Sequence, residues 1–480
     1  MAGLITDLLQ ASQSLDAQQM GLQVTGNNLS NVNNTNYARQ TVVLSTPGVM
    51  ETSAGEVSMG VVASGIEQVR DPFLDAQVTQ ETSQTSLLQA QQTQLQQAQS
   101  DLGEQLTGAN ANASITSATQ SSSGISSALT NFFNAASDLS SNPTDTAAKQ
   151  VLYQTAGTLA DTINATDASL SSLQGGISTQ ISQDTGTANG LLQDIATLNG
   201  QIQTFNVDNP NSNANDLVDQ RQADLEQLAG YMNFTATPIP NGNGQIQVTT
   251  LDANSNPVTL VNKTEVIGGG IAFTGTGFTA GSPPVTLGLT GGSLQGNLTA
   301  STGEIQTLRN QLATTASQLT SAVNTAYNPS GTTGNFFQAS PSGGQLIALD
   351  PTLTVDSMKS TATSDAGANE LALAVAQVGT QTFSTSSGDQ INGTVSGYYS
   401  QAVTGLGESI DGVTSQLTDQ TTVQNLVTSQ QASESGVNED EELTNLMTYQ
   451  SAFQAQARVM NTVNDCLDIV CNGLFGASVS

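Results

Sequence analysis

Apolar residues return at every seventh position near both ends of this chain. Leu8, Leu15, Leu22 and Leu29 form one series; Leu446, Phe453, Met460, Leu467 and Leu474 form the other. A seven-residue apolar repeat makes a narrow seam along a helix, suited to packing against another helix. The spacing predicts an N-terminal helix over 4–30. Half of its second seam series (Leu4, Ala11, Gln18, Thr25) is polar, which weakens the seam and fixes its register. Residues 27–36 are full of turn formers, so the helix should end near Leu29. Two seams at opposite ends predict that the termini meet in space, in a protein built to assemble. Gln18, Thr25, Gln450 and Asn464 interrupt the seams. The paired ends are therefore expected to be disordered in the free monomer and to fold on contact with neighbouring subunits.

Between the ends the pattern changes several times. Residues 40–70 read as extended. Pro72 opens a long Gln-rich helix with Leu88, Leu95 and Leu102 again seven apart. Residues 120–230 read as helical, broken by the turn at 142–145 and a polar loop at 206–215. Residues 233–295 are rich in Thr, Val, Gly and Pro; Asn241-Gly242-Asn243-Gly244 between two β-prone runs signals a hairpin. Helix returns at 300–327, then a Gly/Ser/Pro loop at 328–344, a mixed region to about 400, and helix from about 403 to 474. The predicted fold class is mainly α with a β-rich part. Paired N- and C-terminal coiled-coil helices enclose a long helical bundle body carrying a small β insertion. The expected domains are a discontinuous coiled coil (1–36 with 437–480), an α-rich body (37–232 with 296–436) and a β-rich part of that body (233–295).

Composition narrows the chemistry. Of the 480 residues, 36% are hydrophobic and 4% aromatic, with no Trp, which fills modest cores but not one large one. Eight Lys plus Arg face 39 Asp plus Glu, for a formal charge of −31. Without basic clusters, nucleic acid and anionic membrane surfaces are disfavoured as partners. There is no His, which removes the commonest general base and the HExxH zinc site. Cys466 and Cys471 would point about 140° apart around one helix and cannot bridge; Cys471 falls on the seam and should be a small buried apolar residue. The run Glu439-Asp440-Glu441-Glu442 follows Asn438, a good N-cap. Acids there complement the helix dipole, and consecutive carboxylates diverge around a helix, so no metal site is expected. No catalytic residue, cofactor or cofactor-binding motif is apparent. No apolar run reaches membrane-spanning length. No basic residue precedes Arg39, so a Sec-type signal peptide is not expected.

Residues 27–40 then carry a resemblance. Asn28, Asn31, Asn33 and Tyr37 sit in an Asn-rich turn similar to the N-terminal signature of bacterial flagellar axial proteins, the rod, hook and hook-associated family. Asn36 stands where that signature usually has Gly, and Asn accepts positive φ. Arg39-Gln40 after the Tyr resembles the hook-associated protein 1 branch. Asp219-Gln220-Arg221, followed by Leu225 and Leu228, is similar to that branch's L-x-D-Q-R-D-x-L motif. The stretch from Ser435, Gly436, Val437 and Asn438 through Glu441 and Glu442 to Tyr449 and Gln450 resembles its C-terminal block; rod and hook proteins tend to carry a V-D-L-A-x-E-F type sequence there.

The resemblance implies a structural protein at the junction between hook and filament. It implies a helical ring of identical subunits with the paired terminal helices lining an inner tube. It also implies partners: the hook protein, the second junction protein, and a cytoplasmic export chaperone on the C-terminal helix. Export would use the flagellar type III route, to an extracellular location. Long members carry an extra outer domain, and the short stretch from Phe336-Phe337 to Met358 suggests that it is absent or reduced here, around 336–400. Alternatives are another axial protein, which Arg39-Gln40 and Asp219-Gln220-Arg221 disfavour, a type III needle-tip or translocator protein, which the 27–36 turn disfavours, and a secreted enzyme, for which no nucleophile motif is present.

Overall fold

The computed structural model describes residues 2–46, 48–52, 55–58, 60–104, 124–209, 212–338, 343–362 and 367–475. The side chains of Leu4, Cys471 and Leu474 lie outside the described residues.

Helix α1 (Ala2–Ser30) ends in the Asn-rich turn and leads to strand β1 (Gln40–Ser45). A hairpin follows, β2 (Val49–Thr52) with β3 (Gly55–Ser58), and β4 (Val62–Gln68) returns to pair antiparallel with β1, Gln40 opposite Gln68. Helix α2 (Pro72–Leu102) starts where Asp71 accepts from the Phe73 amide at 2.9 Å and Pro72 supplies a pre-set φ; it stops at Gly103, φ 61°.

Helices α3 (Ile125–Ser141) and α4 (Thr146–Asp208) flank the expected turn at 142–145, and Asp145 caps α4 through the Ala147 amide at 2.8 Å. The 63 residues of α4 make one helix about 95 Å long at 1.5 Å per residue. Gly175 and Gly176 lie inside it without breaking it. Helix α5 (Asn215–Tyr231) then leads into the β region.

There β5 (Thr235–Pro238), β6 (Ile246–Leu251), β7 (Pro257–Asn262) and β8 (Glu265–Val266) form an antiparallel sheet in sequential order. The predicted hairpin is its first pair, Thr235 opposite Thr249, with Asn241 and Asn243 at positive φ in the turn. Strands β9 (Ile271–Phe273), β10 (Phe278–Ala280) and β11 (Val285–Thr286) make a second, three-stranded sheet. Helix α6 (Gly292–Ala300) runs through one π-turn (Ser301–Ile305) into α7 (Gln306–Tyr327). The chain closes with α8 (Glu370–Val378), α9 (Val395–Ser435) and α10 (Glu439–Phe475), the last two separated only by Gly436, Val437 and Asn438.

The body divides between two cores. One gathers α2, the C-terminal part of α4, α5, both sheets, α6 and the middle of α9, around Leu192, Leu228, Val248 and Leu294. The other gathers α3, the N-terminal part of α4, α7, α8 and the start of α9, around Phe132, Ile163, Leu319 and Tyr399. Phe336, Phe337, Ile347, Leu353 and Met358 all bury in the second core. Its centre is aromatic: Phe132 lies 5.1 Å from Phe133, 5.7 Å from Phe336 and 5.8 Å from Phe337, centre to centre.

Asparagines clamp extended chain onto the helices by mimicking a peptide group. On α4, Asn199 donates to Ile246 O (2.9 Å) and Lys263 O (2.7 Å) and accepts from Ile246 N (3.2 Å). Asn189 does the same to Ile271, and Asn164 to Leu346 and Ile347. On α7, Asn324 holds Phe336 and Phe337.

Helices α1 and α10 pack along each other, so the two ends of the chain meet.

Candidate functional site, the joint between terminal helices and body

The single-chain α1–α10 pair touches the body through a polar joint. Asn28, one turn from the end of α1, is 1% exposed. Its Nδ2 donates to Gln40 O at 2.9 Å; its Oδ1 accepts from Gln40 N at 3.0 Å and from the Tyr37 hydroxyl at 2.9 Å. One side chain thereby closes the whole turn between α1 and β1. Burial, with Asp219, Asp216 and Glu442 nearby, pushes the Tyr37 hydroxyl far up, so it remains a protonated donor. Asn31 folds back onto Asn27 O at 3.0 Å, whereas Asn33 is exposed.

The next residues stitch this turn to three other elements. Ala38 N donates to Asp219 Oδ1 on α5 at 3.4 Å. Arg39 N donates to Ser435 O, at the end of α9, at 2.8 Å, and Arg39 O accepts from Val69 N at 2.8 Å. The Arg39 guanidinium reaches Glu441 Oε1 on α10 at 2.9 Å. Gln40 Nε2 donates to Asp216 Oδ1 at 3.3 Å, and Asn215 Nδ2 donates to Ile66 O on β4 at 3.2 Å. The β1–β4 ribbon is thus fastened to the first turn of α5.

Beneath it lies an ionic centre. Arg70 Nη1 meets Asp75 Oδ2 on α2 at 3.0 Å, and Arg70 Nη2 meets Asp219 Oδ1 at 2.7 Å. Gln431 on α9 donates to Asp75 Oδ1 at 2.7 Å. All three charged side chains are at most 14% exposed. Burial alone would lower Arg70, but its two carboxylates carry it above its ordinary value. Burial pushes Asp219 up in spite of Arg70.

Glu442 completes the joint from α10. It is 3% exposed, and burial pushes its carboxyl up against the opposing hydrogen bonds of Asn28 and Thr25. Asn438 caps α10 through the amides of Asp440 (3.0 Å) and Glu441 (3.2 Å). At Gly436 a Cβ would lie 2.3 Å from Ala432 O, so only glycine admits this approach; Val437 beside it is half-buried.

Asn28, Tyr37, Arg39, Gln40, Asp219, Glu441 and Glu442 therefore converge, although they come from three separate stretches of sequence. Arg221 stands apart from them: buried, it donates to Asn199 Oδ1 (2.8 Å) and Gly244 O (2.7 Å), tying α5 to α4 and the hairpin turn. Burial, with Arg70 nearby, lowers it to about 10. Gln220 and Gln450 are exposed. Along the seam Leu8, Leu15, Leu22, Leu29, Leu446, Phe453, Met460 and Leu467 are each half-buried; the fully buried positions of α1 are instead the small or polar Ala11, Ala17, Gly21, Val24, Thr25 and Asn28. Tyr449 lies over Gly21, where a Cβ would come within 2.5 Å of its ring.

Sequence reasoning passed over Arg70, Asp75, Asn199 and Gln431. A signal existed for the arginine: with only eight cations in the chain, each one buried or paired is informative. The joint contains no nucleophile paired with a base, and among the described residues no group of three or more His, Cys, Asp or Glu could hold a metal ion. Among them too, no helix is long and apolar enough to cross a membrane. What the arrangement can do is mechanical: it fixes the paired ends against the body at one orientation.

Comparison with known proteins bears on this geometry. The flagellar hook-associated protein FlgK helical domain matches residues 113–337, and the flagellar basal body rod FlgEFG protein C-terminal domain matches 429–472. Flagellar hook-associated protein 1 of Bacillus subtilis is 26% identical over 54% of this chain and 51% of its own length. That of Salmonella typhimurium is 25% identical over 55% of this chain and 42% of its own. The chain thus spans about half the length of the curated relatives it matches. The flagellar hook junction protein FlgK from Burkholderia pseudomallei shares 22% identity over 53% of this chain and 44% of that chain, with a TM-score of 0.42. With both domain matches and the relatives' shared name, the chain is similar in its helical body and its C-terminal helix to flagellar hook-associated protein 1 and to the axial proteins of the bacterial flagellum.

Proposed function

We propose that this chain is a structural subunit of the bacterial flagellum, placed at the junction between hook and filament. Copies assemble helically into a ring in which the α1–α10 pairs line the inside and the two-core body faces outward. The joint around Asn28, Arg70 and Glu442 carries this reading, because it holds a weakly buried helix pair rigidly on a well-packed body. A subunit of that kind presents the half-buried seam to its neighbours and the body to the exterior. Expected neighbours are the hook protein on one side and the second junction protein on the other. Before assembly an export chaperone would cover α10 in the cytoplasm, and the chain would leave by the flagellar type III route. The expected domain division is the terminal pair with 1–36 and 437–480, and the body with its β-rich part at 233–295.

Deletion of the gene tests the placement. Cells should lose motility, retain hooks and release monomeric flagellin into the medium. Normal filaments on such cells would refute it.

A further inference from the structure

The chain has eight Lys plus Arg in a net charge of −31. Arg39, Arg70 and Arg309 are spent in internal ion pairs, and Arg221 is buried on hydrogen bonds. The chain contains three lysines, and two of them, Lys149 and Lys359, line one cleft of about 640 Å³ on the second core. Neither makes an ion pair among the described residues. The two are far apart in sequence and arrive from different elements, Lys149 from the first turns of α4 and Lys359 from the irregular segment before α8.

A helix terminus adds to the positive charge beside Lys149. Lys149 lies at the N-terminal end of a 63-residue helix, where the dipole already favours anions and a cation is disfavoured. Two neighbouring carboxylates keep their charge but are held by local hydrogen bonds, Asp145 on the Ala147 amide and Asp350 on the Thr352 amide and hydroxyl. Asp356 is the one carboxylate on the cleft wall among the described residues. Tyr327 is buried in the wall and accepts from Lys359 N at 2.9 Å. Burial pushes its hydroxyl up, so it stays protonated. Two cations without an ion pair among the described residues, one of them at a helix N-terminus, line a single cleft in a chain with only eight cations.

We propose that this cleft docks clustered carboxylates, and that they are acidic side chains of a second copy of this chain. The second copy is favoured by charge: every copy carries 39 Asp plus Glu, so assembling like subunits sets large like charges against each other. A cation pair facing a neighbour's acids offsets that repulsion and fixes the angular register of the contact. The proposal rests on the assembly reading above only for the source of the carboxylates.

The experiment has two arms, both on the full chain. In the first, citrate is titrated calorimetrically into the monomer. The native chain should bind it, and Lys149→Gln/Lys359→Gln should weaken binding about tenfold or more. No binding by the native chain, or equal binding by the variant, overturns the site. In the second, self-association is followed by sedimentation velocity at low and high salt. Lys149→Glu/Lys359→Glu, with helical content unchanged by circular dichroism, should associate about tenfold more weakly at low salt, the difference fading at high salt. Equal association overturns the second copy as occupant while leaving the assembly reading intact. A native chain that never associates, but binds citrate as expected, leaves the carboxylate site standing and overturns the second copy as its occupant, while the assembly reading is decided separately by the gene deletion.

Discussion

At the residue scale the joint concentrates cost and specificity in a few polar side chains. Arg70 is the clearest case. It is the one cation shared by Asp75 and Asp219, and removing it strands two nearly buried carboxylates. Arg70→Met should therefore cost about 3–5 kcal/mol, read as a lower midpoint in urea unfolding. Arg70→Lys should recover only part, because one ammonium cannot reproduce the two-pronged contact. Glu442 should behave in the opposite sense. Its folded carboxyl holds its proton more tightly than it would in the unfolded chain, because burial raises it. Between the two values the folded state binds more protons, so stability contributed by this group rises as pH falls and is lost as pH rises through the raised folded value. Glu442→Gln keeps an acceptor for Asn28 and Thr25 and removes the charge. The variant should be no less stable than the native chain at pH 7, and its stability should change less between pH 7 and the carboxylate range. A marked loss at pH 7 would show that the ionised form is the one the joint needs.

At the scale of elements, the helices and the main hairpin were legible from the sequence. Pro72, the 142–145 turn, Asn241-Gly242-Asn243-Gly244 and Asn438 are local signals, and each acts within a few residues of where it sits. What was not legible is which stripe of α1 goes deepest. The leucine repeat stands out because leucine is large, yet the buried stripe is Ala11, Ala17, Gly21, Val24, Thr25 and Asn28. Small residues let the helices approach closely, and that requirement carries no strong hydrophobic signal. Gly21 under the Tyr449 ring is the tightest point. Gly21→Val should displace the ring and weaken α1–α10 packing, seen as faster hydrogen exchange in both helices while the body is unchanged. Gly21→Val combined with Tyr449→Ala should be less damaging than the separate effects imply, since the second change opens the space the first one needs. Additive effects would show that the contact does not limit the approach. The joint was half legible for a related reason. Motif residues of both ends were visible, but Arg70, Asp75 and Gln431 meet them only through long-range packing.

At the scale of the whole molecule, one α-rich body was expected from the sequence, and the structure divides it into two cores threaded by α4, α7 and α9. Hydrophobic periodicity does not reveal that division, because a continuous 63-residue helix looks the same whichever core it crosses. Nor do the asparagine clamps appear in any apolar pattern, although Asn164, Asn189 and Asn199 fasten extended segments onto α4. Burial then separates the molecule into unequal parts. Leu129, Phe132, Leu192 and Leu319 are wholly enclosed. In α10, by contrast, no described side chain beyond Glu442 is fully buried, and Met447 and Ile469 are 67% and 71% exposed. Regions with few buried contacts open at a small fraction of the global free energy. In the isolated chain, amides of 445–470 should therefore exchange about a hundredfold or more faster than those of 125–139 and 188–198. Phe132→Ala should cost the body about 3–5 kcal/mol while leaving exchange in α10 unchanged. Assembly should reverse the first contrast, because neighbouring copies cover the half-buried seam. Protection of α10 as strong as the body's in the isolated chain would mean that the terminal pair holds itself together, and the half-buried seam would then need another explanation than a neighbour.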